Sequence, residues 1–232
     1  MVFMAAIVAV VALAIAAQLW SRNRKMRRET YIRSFILPSG LFQQLQLKHP
    51  QLTTKDCQLV AQGLRQFFLA YHHSGYKMIS MPSQVVDDLW HTLILYTRNY
   101  QRFCDEAFGR FLHHSPAIVL GGVAEGNAGL RRCWWFACKQ ENINPKQPLR
   151  LPLLFALDAK LQIVNGFHYA TDCKGLRNPH LDTSGGTSPY CGGDFANPGA
   201  AGSSDGFGDT DAGGGSAGDG GGGDGGGCGG GE

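Results

Sequence analysis

One stretch of the chain, VDDLWHTLILYTRNYQRFCDEAFGRFLHHSP at residues 86–116, holds most of the side chains that could perform chemistry. Its relevant polar members are two neighbouring acids and three histidines: Asp87, Asp88, His91, His113 and His114. Asp87 precedes His91 by four residues, so on a helix its carboxylate can orient the imidazole. His113 and His114 follow the same predicted helix and can fold back towards it. A carboxylate with two or three imidazoles suits zinc or iron, so these residues form a candidate polar cluster.

The same residues also have a purely structural interpretation. The interval from His91 to His113 matches no metal-binding motif, and the chain contains no HExxH sequence. The helix dipole favours acids in a first turn, which accounts for Asp87 and Asp88 without any reaction. We therefore favour a packed, oriented His91 and assign no catalytic residue, metal ligand or cofactor. The alternative is an enzyme in which Asp87 orients His91 as a base or metal ligand.

Nucleophilic catalysis has less support in the sequence. An activated serine or cysteine needs a nearby base in a shaped turn, and no GxSxG motif occurs. The seven cysteines are an odd number without a CxxC pair, and the nearest two are Cys133 and Cys138. We interpret them as free thiols that pack as small hydrophobic residues in a reducing compartment.

The middle of the chain has the apolar periodicity of helices. Thr53 followed by Asp56 is typical of a helix start, and apolar residues recur at helical spacing up to Gly75. A second long helix is predicted from a cap at Ser83 to about Phe108, with Thr97 on its buried seam. Shorter helices are predicted at 39–48, 130–142 and 153–161. Few segments alternate with the period of a strand, so the predicted fold class is all-α, a helical bundle.

The first residues predict a membrane anchor. Residues 2–20 carry no charge and, at 1.5 Å per residue, form a helix of about 28 Å, close to the roughly 30 Å hydrocarbon layer. Residues 21–33 hold six Lys or Arg against one Glu, a basic juxtamembrane segment expected to rest on anionic lipid headgroups. A cleaved signal peptide carries its positive charge before the apolar run, whereas here the charge follows it. We predict an uncleaved signal-anchor, with a buried core helix as the least favoured alternative.

The distribution of charge also predicts orientation. Because basic flanks stay on the cytoplasmic side, the N-terminus is expected outside and the rest of the chain in the cytoplasm. The protein would then be a single-pass protein of the inner membrane. Residues 34–184 form the predicted helical domain, which is long enough for one hydrophobic core and is expected to fold without the anchor or tail.

From residue 185 the composition changes to a glycine-rich, acidic tail. Residues 185–232 contain 22 Gly and seven acids, with no Lys or Arg. Such a segment buries too little apolar surface to offset the entropy of ordering it, so we predict disorder. The tail lacks the lysine of a P-loop, the strict repeat of a calcium β-roll and the arginines of an RNA-binding tail. The charges of residues 34–184 are dispersed, so nucleic-acid binding is not supported.

The stretch around His91 resembles a known family. MPS at 81–83, VDDLWH at 86–91, Tyr100 and Phe103-Cys104 are similar to the domain of plant glycine-rich domain proteins. AFGRFLHHSP at 107–116 and LPLLFALD at 151–158 are similar to uncharacterised bacterial membrane proteins that carry this domain. The plant versions usually have a second histidine two positions after the first, where this chain has Leu93. The resemblance implies a domain at residues 50–180 and a glycine-rich tail, and it implies no reaction.

Together these features predict a single-pass membrane protein with a cytoplasmic helical domain for binding or scaffolding. Its expected partners are membrane lipid, through the N-terminal helix and the basic flank, and a protein whose identity the sequence does not give.

Overall fold

The computed structural model describes residues 2–114, 123–171 and 190–191. Within these ranges the chain forms seven α-helices and one short pair of parallel strands. The elements are α1 (Val2–Ser34), α2 (Leu41–Lys48), α3 (Thr54–His73), α4 (Gln84–Leu95), α5 (Thr97–Ala107), α6 (Val123–Gln140), α7 (Leu153–Lys160), β1 (Tyr169–Ala170) and β2 (Tyr190–Cys191). The predicted all-α fold is confirmed. The predicted disordered tail, 185–232, lies outside the described residues apart from β2.

α3 is the central helix of the bundle and packs against α1, α2, α4, α6 and α7. Its start is the predicted one, because the Thr53 side chain accepts a hydrogen bond from the Asp56 amide and the Asp56 side chain accepts one from the Thr53 amide. Two buried aromatic rings of α3, Phe67 and Phe68, lie 5.1 and 6.1 Å from the ring of Trp90 on α4. These contacts hold α4, which carries Asp87, Asp88 and His91, against the centre of the core.

The helix predicted from Ser83 to about Phe108 is in fact two helices. Ser83 caps α4 as predicted, with its hydroxyl accepting a hydrogen bond from the Val86 amide. At Tyr96 the backbone leaves the helical region, with φ −80° and ψ 59°, and α5 begins at the next residue. Thr97 is therefore exposed rather than part of a buried seam. The break allows α4 to pack on α2, α3 and α7 while α5 packs on α1.

The N-terminus of α4 is fixed by a buried carboxylate from another helix. Asp158 on α7 accepts hydrogen bonds from the Ser83 hydroxyl at 2.7 Å and from the amides of Gln84 at 2.7 Å and Val85 at 3.2 Å. It also accepts one from the amide of Phe167 at 2.8 Å. A single side chain thus satisfies two of the free amides at the start of α4 and ties three segments together.

α6 begins at Val123 rather than at the predicted residue 130, so Gly129 lies within the helix. A Cβ at this position would stand 3.0 Å from the amide nitrogen of Ser80. The glycine is therefore explained by the close approach of the helix to a neighbouring segment, and not by a turn.

α1 is one continuous helix of 33 residues whose two halves have different surroundings. All side chains from Phe3 to Trp20 are exposed, which excludes a buried core helix. The helix is long and apolar enough to cross a membrane, as an anchor or as a signal sequence. In the second half Ile32 is fully buried and the Tyr31 ring lies 6.1 Å from the Phe103 ring. α1 therefore connects its apolar first half to the bundle without a linker.

Candidate functional site

Asp87 and His91 lie one turn apart on α4, as their spacing predicts. Oδ2 of Asp87 is 3.6 Å from Nδ1 of His91. The neighbouring Val86, Leu89 and Trp90 are buried in the core, so the acid and the histidine occupy the outer side of the helix. The His91 side chain is 48 % exposed and that of Asp87 is 22 % exposed. The pair is accessible to solvent at the rim of the bundle.

His114 reaches the same carboxylate from the segment after α5. Its Nε2 lies 3.0 Å from Oδ1 of Asp87, and its ring centroid is 4.2 Å from that of His91. The Trp90 ring packs against His114 nearly at a right angle, with centroids 4.6 Å apart. Asp87 is therefore within hydrogen-bonding distance of His114, whereas His91, the residue it was expected to orient, lies 3.6 Å away and makes no hydrogen bond to it.

A buried chain of hydrogen bonds holds the segment that carries His114. The indole N–H of Trp90 donates to the Tyr100 hydroxyl at 3.1 Å, and this hydroxyl donates to the Leu112 carbonyl at 2.6 Å. Burial raises the pKa of Tyr100 far above its usual value, so the hydroxyl keeps its proton and remains a donor. The chain of bonds joins α4, α5 and residues 111–114, and it determines where His114 can lie.

Asp87, His91 and His114 fit a three-ligand metal site. One ligand atom from each residue lies within 4.8 Å of the other two. Zinc bonds of 2.0–2.1 Å in tetrahedral geometry separate neighbouring ligand atoms by about 3.3 Å. The nearest approaches are of that order: Oδ1 of Asp87 is 3.0 Å from Nε2 of His114, and the other oxygen, Oδ2, is 3.6 Å from Nδ1 of His91. Two imidazoles and a carboxylate suit zinc or ferrous iron, and the exposed side of His91 leaves room for a water or substrate.

The other two candidates, Asp88 and His113, lie apart from this group. Asp88 is buried, where it accepts a hydrogen bond from Lys48 and lies 2.7 Å from Nε2 of His49. Burial opposes its ionisation, but these two partners outweigh that effect and hold the pKa of Asp88 below its usual value. His113 is exposed, and its ring packs beside Phe111 with centroids 4.8 Å apart. The five predicted residues thus divide into a surface group of three, one buried ion-pair member and one separate histidine.

The cysteines follow the prediction where the structure describes their side chains. Cys57, Cys104, Cys133 and Cys138 are free and buried. Burial raises the pKa of the Cys138 thiol to about 12, so it is not a thiolate at neutral pH. Cys173 and Cys228 lie outside the described residues.

The described residues form an all-α domain that carries the group of three residues and is joined to a helix that can cross a membrane. Residues 27–195 match the model of the UCP032817-like family, and the chain belongs to this family. The match begins within the second half of α1, the part that packs into the bundle. Nothing among curated proteins or solved structures matches the chain.

Proposed function

We propose that this is a single-pass inner-membrane protein whose helical domain acts by binding at the cytoplasmic face. The uninterrupted course of α1 from an exposed apolar half into the core supports anchoring. The basic residues that follow Trp20 support an outward N-terminus. The proposed divisions are the anchor at 2–20, the basic segment at 21–33, the domain at 34–184 and the tail at 185–232. We also propose that the helical domain is related to the domain of plant glycine-rich domain proteins and of uncharacterised bacterial membrane proteins.

A divalent transition-metal ion is the ligand that the geometry supports best. The observation behind it is the convergence of Asp87, His91 and His114, two imidazoles and a carboxylate from two separate segments. A metal held there would join α4 to residues 111–114. In the enzyme alternative the same ion would activate a water on the exposed side of His91.

Metal analysis of the full-length protein tests this site. The protein is purified in detergent without an affinity metal, and zinc and iron are measured by elemental mass spectrometry. We expect stoichiometric metal in the wild type and its loss in His91→Gln and His114→Gln. His113→Gln is the matched control, because it changes the adjacent imidazole outside the group. Equal metal content in all four proteins, or no binding by the wild type after zinc loading, would exclude the site.

Scaffolding of a protein partner is the second candidate function. The continuity of α1 with the bundle favours it, because a domain without a linker presents one fixed face beside the membrane. Pull-down from crosslinked membranes tests it, with a control protein that lacks residues 185–232 and carries a core mutation. A partner enriched over this control supports scaffolding, and equal recovery argues against it.

A further inference from the structure

A cationic cavity lies where α1 leaves its apolar half and joins the bundle. It is open to solvent and has a volume of about 260 Å³, and its lining includes Tyr76, Gly109 and four basic side chains: Arg24, Lys25, Arg28 and Arg110. Three of these charges are on α1, while Arg110 follows α5, so packing of the bundle adds the fourth. We propose that this cavity binds the phosphate of an anionic lipid headgroup, an inference that rests on the membrane anchoring proposed above.

The four cations have no acidic partner in the part of the chain that the structure describes. Other basic residues are paired: Arg33 with Glu29, Lys48 with Asp88 and Arg150 with Glu141. The carboxylates of Asp105 and Glu106 line a separate, neighbouring cavity that also borders Arg24 and Arg28. Like charges around one cavity repel each other, so an anion bound there stabilises the arrangement.

The guanidinium groups are positioned before any ligand arrives. Nη1 of Arg28 donates to the Tyr76 hydroxyl at 3.0 Å, and the Arg110 guanidinium lies 5.3 Å from the centroid of the same ring. Gly109 has φ 68°, a conformation that favours glycine, and a Cβ there would collide with the Arg28 guanidinium. Guanidinium groups bind phosphate oxygens with paired hydrogen bonds, and fixing them in advance lowers the entropy cost of binding.

The cavity lies at the depth of lipid headgroups. Trp20 ends the apolar stretch, and its ring lies 5.6 Å from the Arg24 guanidinium carbon. Tryptophan favours the membrane interface. At 1.5 Å per residue, Arg24 lies about 6 Å and Arg28 about 12 Å beyond Trp20 along the helix. The polar layer on each side of a bilayer is about 5–8 Å thick, so Arg24 lies within it and the Arg28 side chain can extend back towards it. This position favours a lipid phosphate over a soluble one.

Native mass spectrometry of the full-length protein in detergent tests the proposal. Phosphatidylglycerol or phosphatidylcholine is titrated, and the affinity of the first bound lipid is measured. We expect tighter binding of phosphatidylglycerol, weakened about fivefold by Arg24→Gln or Arg110→Gln. Arg22→Gln is the matched control, since it removes a basic residue nearer the membrane that does not line the cavity. If binding reflected only a general attraction between basic residues and anionic lipid, Arg22→Gln would weaken phosphatidylglycerol binding at least as strongly as Arg110→Gln. That result would overturn the site.

Two further measurements separate the ways in which the idea can fail. Inorganic phosphate should not displace the first phosphatidylglycerol, even in excess. Displacement by phosphate at a concentration similar to that of the lipid would assign the cavity to soluble phosphate instead. The intact mass of protein from washed membranes reports on the anchor. A mass lacking the apolar segment would overturn the anchoring itself. Intact protein with equal affinity for both lipids would overturn the lipid site alone.

Discussion

His114 rather than His113 completes the group around Asp87 because of how residues 111–114 are held. The Leu112 carbonyl is bound by the Tyr100 hydroxyl, which fixes the main chain beside α4. The two consecutive imidazoles that follow this carbonyl contact different residues. His114 is therefore directed at Asp87, and His113 packs beside Phe111 at the surface.

Replacing Tyr100 with phenylalanine tests this arrangement. The change leaves the buried Trp90 indole without its acceptor and the Leu112 carbonyl without its donor, so the free energy of unfolding should fall by about 1–3 kcal/mol. Zinc binding should weaken as well, because His114 loses its support. Urea denaturation and zinc titration measure the two effects. Tyr96→Phe, in the break between α4 and α5, is the control, and unchanged zinc affinity in Tyr100→Phe would contradict the positioning role.

The burial of His72 predicts that the stability of the protein depends on pH. It is buried in α3, and burial together with the neighbouring His73 lowers its pKa from 6.5 to about 4. The unfolded chain takes up this proton near pH 6.5, whereas the folded chain does so only near pH 4. The contribution of His72 to stability is therefore fully present above pH 6.5 and is lost as the pH falls towards 4.

Urea denaturation across this pH range measures the effect. His72→Gln should reduce the fall in the free energy of unfolding between pH 6.5 and 4, and the exposed His113→Gln is the control for the substitution itself. If the free energy of unfolding of His72→Gln changed with pH as steeply as that of the wild type, His72 would be protonated equally in the folded and unfolded states.

At the scale of elements, α4 depends on α7 for its start. Asp158 accepts hydrogen bonds from three consecutive residues at the N-terminus of α4 and one from the segment after α7. An asparagine has the same shape but only one acceptor oxygen, so buried donors would lose their partner. We expect Asp158→Asn to lower the free energy of unfolding by about 3 kcal/mol.

Thermal and urea denaturation check this prediction. Asp105→Asn, an exposed substitution of the same type on α5, should change stability by less than about 0.5 kcal/mol. Stability of Asp158→Asn equal to that of this control would mean that the start of α4 does not depend on the carboxylate.

For the whole molecule, α1 joins the membrane-crossing segment to the core. Besides the buried Ile32, the Glu29 carboxylate lies 3.3 Å from His73 of α3, and Arg28 binds Tyr76. A fragment of residues 34–184 lacks these contacts and a 21–184 fragment retains them.

Comparison of the two fragments tests how α1 contributes. We predict that both fold and that 34–184 is less stable by about 2–5 kcal/mol, the typical cost of losing a large buried aliphatic side chain. Urea denaturation measures the difference, and Ile32→Ala in the longer fragment should reproduce much of it. Equal stabilities would mean that the second half of α1 serves only as a connection.

Local patterns in the sequence were sufficient for the all-α class, the apolar stretch, the Thr53 and Ser83 caps and the Asp87–His91 spacing. Each depends on residues within a few turns of one another, where helix geometry alone sets their positions. The same periodicity did not predict the break at Tyr96, because α4 and α5 pack on different neighbours.

The sequence by itself therefore determined which segments are helical, which one can cross a membrane and which acid lies beside His91. Only the tertiary structure decided that His114 joins Asp87 across 27 positions and that Asp158 caps a helix 74 positions away. It also placed Arg110 beside the basic residues of α1. The physical reason is that apolar periodicity specifies which face of a helix is buried, whereas the partner of a polar side chain depends on which distant segments pack against that helix.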